Sequence, residues 1–190
     1  MQAEVRPTPP RSVAVFLGAG RPAAAWPWAL AKDTALALAH AKWDVVYGGA
    51  NVGLMGAFAD AALAAGCRVV GVIPQALRER EIAHPSLSEL LLVDDMNQRK
   101  AEMVRRASAF LILPGGFGTF DELFEVATLA QLGQLHAPII LLNSHGFFDG
   151  LLTQFDTALE LGVLRPEHHA LLSVAQTLPE ALHHLKKTNA

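Results

Sequence analysis

The chain has 190 residues, of which 52% are apolar and 17% are charged, and its formal net charge is −3. A chain of this length and apolar content is expected to form one globular domain with a sizeable core. Polymeric nucleic acid is not an expected partner, because the longest basic clusters are only the pairs Arg105-Arg106 and Lys186-Lys187.

Cysteine usage and hydropathy argue against a disulfide-bonded protein and a membrane protein. The single cysteine, Cys67, excludes an intrachain disulfide and is predicted to be a buried structural thiol. No apolar run approaches the roughly 20 residues of a membrane helix, and the run at residues 13–19 ends without a signal-peptide cleavage pattern. We therefore expect a cytoplasmic protein with no membrane partner. The low charged fraction also predicts a homo-oligomer, most simply a homodimer, that buries apolar surface between copies.

The first half of the chain alternates short apolar strands with alanine-rich helices. Residues 1–11 hold three prolines and are predicted to be a flexible lead-in to a single domain over residues 12–190. The polar segment 75–88 is predicted to be a mobile flap over a site, in which Glu79, Glu81 and His84 are solvated charges. Apolar runs predict strands at 12–16, 44–47 and 68–73, one helix at 28–40 and another that ends at residue 65.

The second half continues the alternation. Asp95 is predicted to cap a helix that runs to about residue 107, with Gln98 at its third position. The adjacent pairs His168-His169 and His183-His184 cannot share one helix face, so no metal site is predicted from them. Further strands are predicted at 90–93, 109–113 and 139–142, helices at 120–132, 148–161 and 178–187, and a connector at 165–172.

This order of elements is typical of an α/β fold, a Rossmann-like parallel sheet with helices on both faces in a single domain. Glycine-bearing turns at 18–20, 48–49 and 115–116 follow predicted strands and should meet at the carboxyl edge of the sheet, where such folds bind ligands. No turn matches the G-x-G-x-x-G pattern of dinucleotide sites, and no P-loop pattern is present. We therefore expect neither a nicotinamide nor any other cofactor.

The segment 114–125 carries the strongest functional signal. It follows an apolar strand, contains Gly115, Gly116 and Gly118, and leads into a helix. Glycines let the backbone approach a ligand closely, and the unpaired NH groups and dipole of a helix N-terminus bind anions, phosphate above all. Thr119 and Glu122 fit two interpretations: they form a capping box at the helix start, or they face the ligand.

The helix that precedes this corner carries two cations near its start. Met96, Met103 and Ala107 form one apolar stripe with Arg99 and Lys100 on its flanks, so both cations are predicted to point inward. A cation held there needs an anion, which the neighbouring phosphate-binding corner would supply. The alternative is that both side chains extend past the edge of the core into solvent.

Four stretches of the sequence resemble one protein family. They are PGGFGTFDELFE at 114–125, VYGGANVGLMG at 46–56, GVIP at 71–74 and DDMNQRK at 94–100. They resemble the LOG-type phosphoribohydrolases, long labelled lysine decarboxylase-like, which release the base from cytokinin riboside 5′-monophosphates. The resemblance extends from residue 13 to about residue 163. It implies an N-glycosidase whose products are a free base and ribose 5-phosphate.

The resemblance also implies roles for individual residues. Glu122 and Arg99 are implied to be the catalytic pair, and Lys100 is expected to raise the local positive potential. Breaking an N-glycosidic bond builds positive charge on the ribose, which a carboxylate beside C1′ stabilises. Asn51 and Met96 are expected to line the base pocket. The residues expected to bind substrate are Gly18, Gly49, Asn51, Met96, Lys100, Gly115, Gly116, Gly118 and Thr119.

Two departures from the family pattern and two alternatives remain. Ala19-Gly20 replace the usual serines of the first glycine turn, and Ala50 replaces a glycine, so both changes bear on substrate affinity. The substrate is either a cytokinin ribotide or AMP. The same corner would also suit a non-catalytic carrier or sensor of a nucleotide or molybdenum cofactor. Such a carrier has no need of a carboxylate beside a glycosidic carbon, so the joint presence of Arg99 and Glu122 favours the enzyme.

Overall fold

The computed structural model describes residues 11–78 and 83–187, and within them seven parallel strands form one sheet in the order β4-β3-β2-β1-β5-β6-β7. The strands are β1 (Ser12–Phe16), β2 (Asp44–Tyr47), β3 (Val69–Pro74), β4 (Glu89–Val93), β5 (Ala109–Ile112), β6 (Ile139–Leu142) and β7 (Leu172–Ala175). The helices are α1 (Trp26–His40), α2 (Gly53–Ala64), α3 (Gln75–Arg78), α4 (Met96–Arg106), α5 (Phe117–Gln131), α6 (Asp149–Glu160), α7 (Pro166–His169) and α8 (Leu178–Lys187).

The sheet is covered by helices on both faces, which confirms the predicted Rossmann-like α/β fold. Strands buried on both faces read as continuous apolar runs, and β1, β3, β5 and β6 are buried along their whole length. Because side chains alternate along a strand, Val13 and Val15 pack with α1, α2 and α8, while Ala14 and Phe16 pack with α4 and α5. The two cores lie on opposite sides of the sheet.

The order of the strands creates a topological switch point between β1 and β5. These strands are neighbours, with Ala14 opposite Phe110 and Phe16 opposite Ile112. After β1 the chain adds strands on one side of the sheet, and after β5 it adds them on the other. The turns that leave the two strands therefore diverge and open a crevice at the carboxyl edge of the sheet.

The structure corrects several predicted element boundaries. The predicted connector at 165–172 contains α7 and leads into a seventh strand, Leu172–Ala175, which pairs with β6. Its half-buried residues give a weaker apolar signal than the central strands do. Helix α5 begins at Phe117 instead of residue 120, directly after the glycine turn. The other predicted helices and strands agree with the structure to within about two residues at each end, as is usual for boundaries.

The prediction that His84 is a solvated loop charge is wrong. Its side chain is buried, its Nε2 lies 3.1 Å from Asp60 Oδ1, and its backbone N–H donates to the Gly49 carbonyl at 2.9 Å. These contacts attach the end of the predicted flap to α2 and to the second glycine turn. Glu79 and Glu81, like most of the lead-in at 1–11, lie outside the described residues.

Cys67 is buried, as predicted for a structural thiol, and burial raises its pKa to about 11. Its Sγ lies 3.1 Å from the Trp43 carbonyl oxygen, to which it donates. A thiol with a raised pKa is a poor nucleophile. Across the described part of the chain, no helix is both long and apolar enough to cross a membrane.

Candidate active site

A cleft of about 350 Å³ opens at the switch point. Its walls come from the turn after β1, the first residues of α5, and inward-pointing side chains of α2, α4 and α5. The lining residues are Leu17, Gly18, Ala19, Gly20, Met55, Arg99, Gly116, Phe117, Gly118, Thr119 and Glu122. The structure thus brings together both predicted catalytic residues and four of the predicted substrate-binding residues.

The two glycine turns at the switch point pack backbone against backbone. The Gly18 N–H donates to the Pro114 carbonyl at 3.2 Å, and a Cβ on Gly18 would lie 3.1 Å from the Gly115 Cα. A Cβ on Gly115 would lie 2.9 Å from the Gly18 nitrogen and would overlap the Thr119 hydroxyl. Gly115 therefore allows the two turns and Thr119 to approach each other.

Helix α5 starts at this packed corner, with its first turn facing the cleft. Gly116 is the N-cap residue, in an extended conformation with φ −103°, and it makes no side-chain capping bond. The first NH groups of a helix lack partners within the helix and carry its positive dipole end. Since residues 116–119 line the cleft, an anion in the cleft would meet these NH groups.

The capping-box interpretation of Thr119 and Glu122 is wrong. The box would require Thr119 as the N-cap residue, but Gly116 holds that position and Thr119 lies inside the helix. Both side chains are buried and line the cleft, and Glu122 pairs with an arginine instead of reaching back to a backbone NH. The T-x-x-E spacing indicated a cap because spacing alone does not distinguish the N-cap residue from the third residue of a helix.

Arg99 points into the cleft, as predicted. Asp95 caps α4 by accepting from the Gln98 N–H at 2.8 Å, which places Arg99 one turn into the helix on the inner side. The guanidinium donates from Nε to the Val72 carbonyl at 3.2 Å, and its Nη2 lies 3.2 Å from Glu122 Oε1. The side chain is 11% exposed, so the alternative in which it extends into solvent is wrong.

Lys100 also points inward, but the structure does not bring it to the wall of the cleft. Its Nζ lies 3.0 Å from Asp121 Oδ1 and 2.8 Å from Glu125 Oε2, and these contacts tie α4 to α5. The hydrogen bond to Glu125, followed by that to Asp121, raises the pKa of Lys100 against the opposing effect of burial. Its expected contribution to phosphate binding stays a prediction.

Glu122 has an unusual electrostatic environment. Burial is the largest influence and raises the pKa of its carboxyl to about 7, with a further contribution from the nearby charge of Asp121. Arg99, and then Lys100, oppose that rise by stabilising the ionised form. A carboxyl whose pKa lies near neutral pH changes its charge within the physiological range, a property that clusters at functional sites.

Three predicted substrate-binding residues lie outside the lining of the cleft. Met96 is exposed at the start of α4, with its sulfur 3.7 Å from Arg99 Nη1. Gly49 has a left-handed φ of 76°, which only glycine adopts easily, and its carbonyl holds the His84 segment. Asn51 is exposed just before α2. None of the three belongs to the lining of the 350 Å³ cleft, so their substrate contacts stay predictions.

The sequence interpretation assigned no role to Met55 and Phe117, which line the cleft. Met55 lies in the VYGGANVGLMG stretch, and Phe117 follows the glycine pair at 115–116. Their proximity to glycine turns was the feature of the sequence that could have identified them as cleft residues. Phe117 is 95% exposed, an unusual state for a phenylalanine. It therefore lies at the mouth of the cleft, open to a ligand or to another protein surface.

The two departures from the family pattern lie in different surroundings. Gly20 lines the cleft, and a Cβ there would meet no atom within 4 Å, so the missing serine leaves extra room. Ala50 is buried and pairs with Ala83 by an isolated bridge, outside the lining of the cleft. Only the first departure can alter direct contacts to a ligand in this cleft.

A second cleft of about 530 Å³ adjoins the first across the glycine turn after β1. Gly18, Gly20 and Gly116 belong to both clefts. Apart from Arg21, its other lining residues are glycine or carry apolar or aromatic side chains: Pro22, Ala23, Ala24, Trp26, Pro27, Leu54, Pro114, Gly115 and Phe147. The site is thus a polar cleft with an apolar neighbour.

The fold and the site together define a class, a Rossmann-like α/β protein with a ligand cleft at its switch point and a buried arginine and carboxylate pair in the wall. Residues 55–185 match the family model described as "Possible lysine decarboxylase". The chain is 45% identical over 159 residues to the cytokinin riboside 5′-monophosphate phosphoribohydrolase LOG2 of Arabidopsis thaliana, covering 82% of this chain and 75% of that protein. The chain belongs to the LOG family.

A second relative agrees with this assignment, and a solved structure shares the fold. The chain is 42% identical over 183 residues to the cytokinin riboside 5′-monophosphate phosphoribohydrolase of Rhodococcoides fascians, covering 96% of this chain and 92% of the relative. Among solved structures, the molybdenum cofactor binding protein of Rippkaea orientalis superposes with a TM-score of 0.71 at 21% identity, covering 95% of this chain and 98% of that one. At that identity the likeness concerns the fold alone.

Proposed function

We propose that this protein is a nucleoside 5′-monophosphate phosphoribohydrolase, which hydrolyses the N-glycosidic bond of cytokinin riboside 5′-monophosphates to a free base and ribose 5-phosphate. One observation carries the proposal: Arg99 and Glu122 form a buried pair, 3.2 Å apart, in a cleft that also contains the start of α5. Relatives that are 42% and 45% identical bear the name of this activity. The small-molecule partner is thus a nucleoside monophosphate, and AMP is a second candidate substrate.

The 5′-phosphate binds at the N-terminus of α5 in this proposal. Gly116, Gly118 and Thr119 offer backbone NH groups there, and the Thr119 hydroxyl adds a further donor. Gly115 keeps the two turns close together, and its expected contact with the substrate stays a prediction. A phosphate anchored at this corner leaves the ribose to extend along α5 towards Glu122, one helical turn further on.

Glu122 stabilises the positive charge that develops on the ribose as the bond from C1′ to the base nitrogen lengthens. A water molecule adds its oxygen to C1′, and the carboxylate orients it and accepts its proton. The base leaves with the bonding electrons and takes up a proton from solvent, to which the carboxyl later returns its own. Arg99 stabilises the ionised form of Glu122 and also interacts with electron-rich groups of the ribotide. Both electrostatic interactions are stronger in a buried site than in water.

Turnover should therefore fall as the pH drops through about 7, because Glu122 acts as a carboxylate and burial raises its pKa to about 7. Activity falls towards low pH because protonation removes the negative charge beside C1′. Because the pKa of Glu122 is raised, this loss of activity occurs closer to neutral pH than for an ordinary glutamate. The profile of kcat/KM against pH reports this group in the free enzyme, together with the phosphate of the free substrate, whose second pKa is about 6. An acid limb near 4.5, the ordinary value for glutamate, would contradict the assignment.

The alternative roles receive less support. A carrier of a nucleotide or molybdenum cofactor would use the glycine corner but has no use for a buried carboxylate whose charge is matched by Arg99. The proteins of that kind among the structural neighbours are about 21% identical, which concerns the fold alone. A lysine decarboxylase that forms a Schiff base needs an available lysine, whereas Lys100 is paired with Asp121 and Glu125.

Base release measured by chromatography tests the proposal. Isopentenyladenosine monophosphate and AMP are assayed in parallel, with isopentenyladenosine and adenosine as controls. We expect base from the monophosphates and little from the nucleosides, because the phosphate corner supplies much of the binding. The ratio of the two monophosphate rates distinguishes a cytokinin-activating enzyme from a general purine ribotide hydrolase. Binding of AMP without any base release would favour the carrier.

A homodimer is part of the same proposal. Large apolar side chains stay exposed on and after α5 and α6, including Phe117 at 95%, Val163 at 80%, Leu161 at 73% and Leu132 at 61%. Exposed large apolar side chains are costly in water, and a second copy of the chain would cover them. Size-exclusion chromatography with light scattering should give twice the mass of the 20.3 kDa chain. A monomer at micromolar concentration would overturn the dimer but not the activity. The cytoplasmic location and the absence of membrane or nucleic-acid partners stay predictions.

A further inference from the structure

Gly48, the residue directly after β2, lies against the guanidinium of Arg99. A Cβ built on Gly48 would overlap Arg99 Nη2, and would lie 2.8 Å from Arg99 Cζ and 2.7 Å from the Met55 Cε. Non-bonded heavy atoms pack at about 3.5 to 4.0 Å. Any side chain at this position therefore forces the guanidinium and the Met55 terminus to retreat by about 1 Å or more.

Glycine is required at position 48 for a different reason than at the neighbouring glycines. Gly49 and Gly53 have positive φ values of 76° and 53°, and a Cβ on Gly53 would strike the backbone carbonyls of the turn after β1. Gly48 is not among the residues with positive φ, and the atoms that its Cβ would meet are the ends of two flexible side chains. Backbone conformation thus permits alanine at Gly48, and the space occupied by Arg99 does not.

The remaining contacts of Arg99 hold the guanidinium in one place. Nε donates to the Val72 carbonyl in β3 at 3.2 Å, Nη2 lies 3.2 Å from Glu122, and Nη1 lies 3.7 Å from the Met96 sulfur. Gly48 borders the same nitrogen that pairs with Glu122. A guanidinium displaced from Gly48 therefore changes its geometry to Glu122 first.

We propose that Gly48 is a positioning residue for the hydrolysis: the absence of a side chain there sets the position of the Arg99 guanidinium against Glu122. This inference rests on the proposed function, since it assigns the residue that aligns the proposed catalytic pair. Gly48 does not line the cleft and need not touch substrate. It acts through Arg99.

The test is Gly48→Ala, with Gly150→Ala as the matched control. Gly150 stands near the start of α6, has no positive φ, and its Cβ would meet no atom within 4 Å. Because misplacing a catalytic group by about 1 Å can cost on the order of a hundredfold, we expect kcat to fall roughly 10- to 100-fold in Gly48→Ala with a smaller change in KM. Gly150→Ala should behave as wild type.

The pH profile separates a positioning role from a general structural one. Arg99 lowers the pKa of Glu122, so a displaced guanidinium lets that pKa rise. The acid limb of Gly48→Ala should therefore move to higher pH, while a variant that is merely less stable would keep the limb of the wild type. Titration of the Glu122 carboxyl by difference infrared spectroscopy, with Glu122→Gln as the blank, reports the same shift without requiring turnover.

A double-mutant cycle completes the test. In an Arg99→Ala background the guanidinium is gone and only the Met55 terminus still meets the new Cβ, so Gly48→Ala should cause a much smaller further loss of activity and no further shift of the carboxyl titration. The proposal is overturned if Gly48→Ala keeps the wild-type kcat and acid limb, or if its effect is equally large without Arg99. If Gly48→Ala fails to fold, the double variant Gly48→Ala with Arg99→Ala should still fold. Failure of the double variant to fold would also overturn the proposal. If the wild-type protein releases no base, the proposed function is contradicted. The effect of Gly48→Ala on the titration of the Glu122 carboxyl then still tests the role of Gly48.

Discussion

Glu122→Gln is expected to lower kcat by about a hundred- to a thousandfold, with the fold and the binding of a nucleoside monophosphate retained. Removing one preorganised electrostatic group commonly costs about 3 to 4 kcal/mol in transition-state stabilisation. Glutamine keeps the shape of the side chain, but it cannot supply the negative charge beside C1′ or accept a proton from water. Because the phosphate corner lies elsewhere in the cleft, binding of AMP measured by calorimetry should change far less than turnover.

Glu125→Gln is the control for this variant. Glu125 stands on the same helix, and its carboxylate pairs with Lys100 outside the lining of the cleft. The same chemical change there should leave kcat within a few-fold of wild type. A fully active Glu122→Gln would overturn the assignment of the catalytic carboxylate, and an equal loss in both variants would indicate a general effect of charge on the helix.

The stability of Glu122→Gln provides a second readout. The folded state raises the pKa of Glu122 from 4.5 to about 7, so it binds this proton more tightly than the unfolded chain does. The stability that this carboxyl contributes is therefore fully present below about 4.5 and is lost as the pH rises to about 7. Glutamine does not titrate, so the melting temperature of the variant should rise relative to wild type over that interval.

Arg99→Ala is expected to have an effect of similar size for a different reason. The substitution removes the cation that stabilises the ionised form of Glu122, so the pKa of the carboxyl rises further and less of the active form exists at neutral pH. In the proposed mechanism it also removes a group that contacts the ribotide. We expect kcat/KM at pH 7 to fall about a hundredfold or more, with part of the loss recovered at higher pH.

Two further variants isolate the role of Arg99. Arg105→Ala removes an exposed arginine of the same helix that pairs with Glu102, and exposed pairs of this kind contribute only about 0 to 1 kcal/mol. Its turnover should match the wild type. Arg99→Lys keeps the charge but loses the fork that reaches both Val72 and Glu122, so an intermediate rate is expected. Full activity in Arg99→Ala, with an unchanged acid limb, would contradict the proposed pair.

Local patterns predicted most of the fold. The buried strands at 12–16, 44–47 and 139–142 coincide with β1, β2 and β6, because continuous apolar runs bounded by polar residues or glycine are informative by themselves. The half-buried strand Leu172–Ala175 was missed, since its pattern is weak and its place depends on pairing with β6. The order of the strands, and so the switch point, follows from long-range pairing that no local pattern specifies.

The site was predictable in composition but not in geometry. Spacing indicated that Arg99 and Lys100 point inward, yet only the fold shows that one reaches Glu122 while the other pairs with Asp121 and Glu125. The same limit explains the error over His84, which is buried and contacts Asp60, 24 positions earlier in the chain. The near-neutral pKa of Glu122 likewise arises from burial, which sequence spacing does not reveal.

A time course of free base and ribose 5-phosphate from isopentenyladenosine monophosphate and AMP, quantified against the amount of protein, distinguishes hydrolysis from carriage. If the protein is a hydrolase, the two products appear in equal amounts, exceed one equivalent per chain many times over, and are nearly abolished by Glu122→Gln. If the nucleotide stays bound and intact, with no more than one equivalent of base released per chain, the protein is a carrier and the assignment of hydrolysis is wrong.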